Sequence, residues 1–280
     1  MRQFVLFAVT ACVLGCGCAS AGESAARPWP LAVRLMSYGA HQDEAWAHLR
    51  SIGVRHVFMQ VPAPDAADDL MVRLKEHGLD VPVFRGEADL TKDSYAADLE
   101  PQLAVCEKMG VKYLFLSAKP GDTPLETVYA RLRAAGDAAQ RHGVTITLET
   151  HPPLGTDGGT QVATMKGVNH PNVRVNYDTA NITYYNRDTD AVAELKKSLE
   201  YVRTVEFKDH TGGFETWDFP VLGKGVVDFK AVMAALARHG YNGPVTIEFE
   251  GTKGVDLTKE ELFQAIADSV AFTRSLGNFD

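Results

Sequence analysis

The sequence predicts an α/β protein with one domain, a (β/α)8 TIM barrel, and three observations carry that reading. Eight short runs rich in β-branched and aromatic residues alternate with eight helical patterns over about 250 residues, which is the content of one large barrel. Glycines stand where helix C-caps want a left-handed residue, at Gly53, Gly78, Gly110, Gly143, Gly240 and Gly277. No glycine-rich phosphate turn follows the first strand-like run, which argues against the alternative, a doubly wound open sheet.

The strand-like runs are LAVRLMSY (31–38), VRHVFMQV (54–61), LDVPVFRG (79–86) and VKYLFLSA (111–118). VTITLETH (144–151), VRVNYDTA (173–180), RTVEFKDH (203–210) and GPVTIEFE (243–250) complete the set. Helical patterns follow each, from DEAWAHLRSIG after the first to KEELFQAIADSVAFTRSLG after the last, with GTQVATMKGVNH the weakest. No linker divides them, so residues 22–280 are expected to be one barrel domain.

Residues 1–21 read differently. One cation, Arg2, precedes an apolar run from Phe4 to Gly15, too short to span a bilayer and laid out as a signal peptide. Ala19-Ser20-Ala21 matches a cleavage site, and Val13-Leu14-Gly15-Cys16 matches a lipobox with lipidation at Cys16. Either way the protein is expected to be exported, as a periplasmic protein or a lipoprotein anchored to the membrane of a bacterium.

Charge narrows the partners. Lys and Arg number 28 against 36 Asp and Glu, a net charge of −8. Without residues 1–21 the balance is 27 against 36, or −9. So acidic a surface, with no basic stripe, repels phosphate backbones, and nucleic acid is not an expected partner. Cys106 is the one cysteine after the leader, so no internal disulfide framework is expected, and its helical setting reads as buried packing.

Alternation along the later strands brings acids to one face. Val144, Ile146 and Leu148 should pack on helices, which turns Thr145, Thr147, Glu149 and His151 inward. The same parity turns Asn176 and Asp178, Glu206, Lys208 and His210, and Thr246, Glu248 and Glu250 inward. Barrel catalysis sits at the C-terminal ends of strands, and four buried carboxylates need a counter-charge. A divalent cation supplies one, so Glu149, Asp178, Glu206 and Glu248 are the expected metal ligands. An oxygen-rich set favours Mn²⁺ or Mg²⁺, with Co²⁺ or Zn²⁺ admitted. Glu149 and Glu248 are expected to double as the catalytic acid and base, one removing a proton next to a carbonyl and the other returning it.

Around them, His151 and Lys208 are expected to contact substrate, and Arg85 at the end of the third strand to clamp a carboxylate or hydroxyl. Lys224 in the Gly223-Lys224-Gly225 loop and Trp217 in FETWDFP are further candidates, with Tyr38 and Gln60 at the ends of the first two runs. His56 is expected to be structural.

The blocks AAQRHGVTITLETH, VNYDTAN, EFKDH and LGKGVVDFKAVMAALARHGYNGPVTIEFEG resemble the xylose isomerase-like barrel superfamily, which includes sugar epimerases, inosose dehydratases and endonuclease IV-type enzymes. The resemblance covers most of the mature chain and is strongest over residues 137–251. In the epimerases it implies a metal held by Glu, Asp, His and Glu from strands five to eight. Glu149, Asp178 and Glu248 match three positions, and Glu206 stands where the His is usual, which favours a harder ion. His210 is a substitute on the same face. Asn181 replaces the substrate-binding His of an Asp-x-x-His pattern, and Gly212-Gly213 stands where a substrate-clamping Arg is usual.

These readings give an exported, metal-dependent sugar isomerase or epimerase that forms a metal-bound enediolate from a sugar or keto-sugar. The alternative is a lyase or dehydratase that eliminates from a keto-sugar or 3-keto-glycoside. An alternative of another class is a non-catalytic sugar-binding lipoprotein. A homo-oligomer is compatible with all three.

Overall fold

The computed structural model describes Met1 and residues 28–280. The expected leader, its expected cleavage site and Cys16 lie outside the described residues. Among the described residues no helix is long and apolar enough to cross a membrane.

The chain runs β1 (Leu31–Arg34), α1 (Gln42–Ser51), β2 (His56–Gln60), α2 (Ala67–His77), β3 (Val83–Arg85), α3 (Tyr95–Met109), β4 (Tyr113–Leu116), α4 (Leu125–Arg141) and β5 (Thr145–Glu149). It continues with α5 (Gly158–Val168), β6 (Val173–Asp178), α6 (Thr179–Tyr185), α7 (Ala191–Ser198), β7 (Val202–Phe207) and β8 (Asp218–Phe219). Then come α8 (Phe229–His239), β9 (Val245–Ile247), β10 (Gly251–Thr252) and α9 (Lys259–Leu276). Strands β1 to β7 and β9 form one closed parallel barrel. Closure is the β1–β9 pairing, Leu31 beside Val245 and Val33 beside Ile247. β8 and β10 form a short antiparallel ladder across the mouth.

The alternation read from the sequence holds. Val144, Ile146, Leu148, Val173, Val175, Tyr177, Val205, Phe207, Val245 and Ile247 all join the core between strands and helices. Inside the barrel, Ala32, Phe58, Val83 and Phe115 form a small separate apolar plug. Above it the interior turns polar, with Thr147, Asn176, Asp178, Glu206, Lys208, Thr246 and Glu248 all buried. Cys106 is buried as expected, and His56 is tied to Asp280 at 3.0 Å.

Some boundaries differ. The first strand stops at Arg34 and continues as a 3-10 turn over Leu35–His41, because Ser37 turns in to accept the Phe249 amide at 3.0 Å. The third strand is only Val83–Arg85; Pro82 has no amide to give to a ladder. Gly78, Gly110 and Gly240 cap their helices with φ of 61°, 73° and 78°. Gly277 does not: its φ of −177° is extended backbone. The helix α6 was not expected. Its segment, TANITYY, has no apolar period, and it starts directly on the last residue of β6 because Asp178 accepts from the amides of Ala180 and Asn181, both at 2.9 Å.

Candidate functional site

Three carboxylates meet at the C-terminal mouth. Glu149 ends β5, Asp178 ends β6 and Glu206 lies one residue from the end of β7. One oxygen from each lies within 4.8 Å of the others. The strand register sets this. A bulge after Val175 skips one residue of β7, so that Asp178 pairs directly with Glu206. Asp178 is 0% and Glu206 1% exposed, while Glu149 is half-buried and lines a cavity.

Each buried acid has one oxygen satisfied and one not. Asp178 Oδ1 caps α6, and Oδ2 has no hydrogen-bond donor. Glu206 Oε2 accepts from Asn176 Nδ2 at 2.8 Å, and Oε1 has no donor. Asn176 is itself fixed by Thr204, which donates to its Oδ1 at 2.7 Å. Orphaned oxygens of this kind are costly in a protein interior. Burial, with the repulsion of neighbouring acids, pushes Asp178 up to about 6 and Glu206 up to about 7, against the pull of Lys208 and Arg34. A hard divalent cation would satisfy both orphaned oxygens, and an all-carboxylate donor set fits one.

Two buried cations share this charge. Arg34 pairs with Glu248 and, at 3.4 Å, with Glu206. Its guanidinium carbon sits 4.8 and 4.9 Å from the ring centres of Phe58 and Phe115, the top of the apolar plug. The β1–β9 closure places it beside Glu248, since Val33 and Ile247 are paired one residue below. Lys208 Nζ lies 3.2 Å from Glu248 Oε2 and 3.8 Å from Asp178 Oδ2, and it also pairs with Glu250. It donates to Asn181 Oδ1 at 3.3 Å and sits 4.3 Å over Phe219. Glu248 is therefore held between two cations and lies outside the three-carboxylate cluster. Glu206 has Arg34 as its ion-pair partner.

A cavity of about 230 Å³ opens over these groups. Of the residues singled out in the sequence, Glu149, His151, Asn181, Lys208, Glu248, Arg85 and Trp217 line it. His151 donates from Nδ1 to the Pro152 carbonyl at 2.7 Å, which leaves Nε2 as its other ring nitrogen. Asn181 donates from Nδ2 to the Thr150 carbonyl at 3.0 Å and so turns Oδ1 toward Lys208. One wall is aromatic. Phe219 lies 5.3 Å from Trp217 and 5.4 Å from Tyr184, and Tyr185 packs against His151 at 4.9 Å. Trp217 is 42% exposed, a large face open at the rim.

Four candidates stand elsewhere. His210 does not line the cavity: Nε2 donates to the Thr216 carbonyl at 2.8 Å, and Nδ1 meets Thr183 Oγ1 at 2.9 Å. It braces the aromatic wall from behind, 5.2 Å from Phe219. Lys224 is exposed and points no charge into the cavity. Its loop is drawn down by Asp209, whose Oδ2 accepts from Gly223 and Gly225 at 2.9 and 2.8 Å; a Cβ on Gly225 would collide with that carboxylate. Tyr38 is fully buried on His48 at 2.8 Å, and Gln60 is exposed away from the cavity.

The sequence reading missed Arg34, Tyr184, Tyr185 and Phe219. Arg34 carried a usable signal, since it shares the parity of Ala32 opposite Leu31 and Val33. The two tyrosines carried none without α6.

Comparison with known proteins agrees with this architecture. The family model for xylose isomerase-like TIM barrels matches residues 46–276. An inosose dehydratase of Bacillus velezensis is 29% identical over 145 residues, 46% of this chain and 48% of that protein. A ketose 3-epimerase of Arthrobacter globiformis is 26% identical over 200 residues, 62% of this chain and 65% of that protein. The chain thus spans about half the length of the first of these relatives and under two thirds of the second. A xylose isomerase domain protein from Planctomyces limnophilus shares the fold, with a TM-score of 0.73 at 21% identity over 89% of this chain and 98% of that one.

The raised acids give a signed pH dependence. Their proton-linked stability is complete below the ordinary carboxylate range and is lost as pH rises through about 6 to 7. Thermal unfolding of chelator-treated protein should therefore show a falling Tm from pH 5.5 to 8, and Mn²⁺ should raise Tm more at pH 8 than at pH 5.5. A metal shift equal at the two pH values contradicts the cluster as the binding site. Arg34→Met leaves Glu206 without its ion-pair partner and Glu248 with Lys208 alone, which should cost about 3–5 kcal/mol in metal-free urea unfolding. A variant as stable as wild type contradicts the assignment of Arg34 as the buried counter-charge.

Proposed function

The chain belongs to the xylose isomerase-like TIM barrel family, and from that premise we propose that it is an enzyme that removes a proton next to the carbonyl of a sugar or keto-sugar. The carboxylate cluster carries the proposal: Glu149 lines a cavity with an aromatic wall, and Asp178 and Glu206 are buried beside it with one oxygen of each within 4.8 Å of the others. The named activities of the relatives, inosose dehydratase and ketose 3-epimerase, support it, since both begin with such a proton transfer.

Glu149, Asp178 and Glu206 would hold a divalent cation, Mn²⁺ or Mg²⁺. When bound, it supplies Lewis-acid polarisation of the substrate carbonyl. Glu149 is the half-buried acid of the cluster and serves as the base. Lys208 and Asn181 offer hydrogen bonds to substrate oxygens, and Trp217 and Tyr184 exclude water from one face. The outcome depends on Glu248. Epimerisation needs a second carboxylate to return the proton on the opposite face, but Arg34 and Lys208 hold Glu248 in ion pairs. Elimination needs one base and one acid. Glu149 takes the α proton, the carbon–oxygen bond one carbon further breaks, and the leaving oxygen takes the Nε2 proton of His151 in its imidazolium form, whose Nδ1 proton stays on the Pro152 carbonyl. The pinned Glu248 therefore favours a dehydratase or lyase. The placement of Glu149 and Glu248 on separate strands, β5 and just beyond β9, supports epimerisation as the second reading.

Export, as a periplasmic protein or a lipoprotein, is part of the proposal, and it favours glycosides over sugar phosphates as substrates. The test is solvent-deuterium exchange into keto-sugars and keto-glycosides with Mn²⁺ present. Wild type should exchange the α proton and form an unsaturated product, and Glu149→Gln should lower both about 10²–10⁴-fold. Deuterated epimer without unsaturated product moves the assignment to epimerisation; exchange that survives Glu149→Gln contradicts Glu149 as the base.

A further inference from the structure

A second cavity opens beside the first. It measures about 220 Å³ and shares Arg85 and Ser117 with the first cavity's wall, so the two adjoin over the ends of β3 and β4. Glu87, Asp89, Tyr95 and Lys119 are among its lining.

Tyr95 is the telling residue. It is 1% exposed, and its hydroxyl has no hydrogen-bond partner among the described residues. A buried, unpaired hydroxyl is a standing cost unless a ligand completes it. Burial also raises its pKa well above the usual phenol range, so it stays a neutral donor. Arg85 adds donors: it makes no ion pair among the described residues, and its Nη1 reaches only the weak Met36 sulfur acceptor at 3.3 Å. The formal charge of the lining is balanced, Arg85 and Lys119 against Glu87 and Asp89. That suits a neutral group with many hydroxyls rather than a phosphate or carboxylate. Each cavity alone falls below the roughly 300–1,000 Å³ of most small-molecule sites, and together they reach that range.

We propose that the second cavity is the subsite for the second sugar unit of a neutral glycoside, whose reacting ring lies over the carboxylate cluster, with Tyr95 and Arg85 hydrogen-bonding hydroxyls of that second unit. This rests on the reading of the first cavity as a sugar site.

The test is calorimetric titration of the full chain in Mn²⁺ with glucose and with maltose, cellobiose and trehalose. At least one disaccharide should bind at least tenfold more tightly than glucose. Tyr95→Phe, which keeps the packing of the ring and should leave Tm unchanged or raised, should remove most of that advantage. Ala88→Trp, which fills the second cavity from its lining, should remove it independently. Disaccharides that bind no better than glucose, or an advantage that persists with the cavity filled, overturn the subsite while glucose binding keeps the first-cavity reading. No binding of any of the four sugars overturns the subsite, and the first-cavity reading then stands or falls on deuterium exchange into keto-sugars.

Discussion

Asp178 and Glu206 lie side by side in the barrel, 0% and 1% exposed, and each keeps one oxygen without a hydrogen bond, met only by an ion pair to Lys208 at 3.8 Å or Arg34 at 3.4 Å. Placing two carboxylates there, with Glu149 beside them, is expensive, and much of the mouth is organised around that expense. Arg34 and Lys208 are buried to offset it. Asn176 and Thr204 form a layer beneath that fixes Glu206 in place. The α6 helix begins where it does because Asp178 uses its other oxygen as the cap. Two cations do not balance five acids, counting Glu248 and Glu250. The residual charge is what a divalent cation would neutralise.

The mouth is built around the same point. Asp209 draws the Gly223–Gly225 loop down, and His210 braces Phe219. The β8–β10 ladder then holds Trp217 and Phe219 at the rim. In the segment KDH, Lys208 alone faces the cavity, while Asp209 and His210 hold the structure around it. The neighbouring cavity over the ends of β3 and β4 is walled by mixed charges and extends the site sideways, away from the acids.

The barrel was legible because alternation and helix period repeat eight times, and because its acids share the parity of inward residues. The site was legible in part. Glu149, Asp178 and Glu206 follow from strand ends and parity, and the structure brings them together. The partner of Glu248 was not legible, because Arg34 lies 214 residues away and meets it only at the closing seam. Tyr184 and Tyr185 were hidden for a local reason: TANITYY has no amphipathic pattern, and the helix owes its start to a residue already assigned to a strand. His210 and Lys224 had the right chemistry for a site, but hydrogen bonds to Thr216, and those of Asp209 to the loop, hold them elsewhere.

Everything at the mouth turns on whether Glu149, Asp178 and Glu206 hold a divalent cation. The direct measurement is a crystal structure of protein soaked in Mn²⁺, with anomalous scattering recorded at the manganese edge. One strong peak is expected within about 2.0–2.4 Å of an oxygen from each of these three residues. No peak there, with Arg34 and Lys208 alone neutralising the acids, would contradict it.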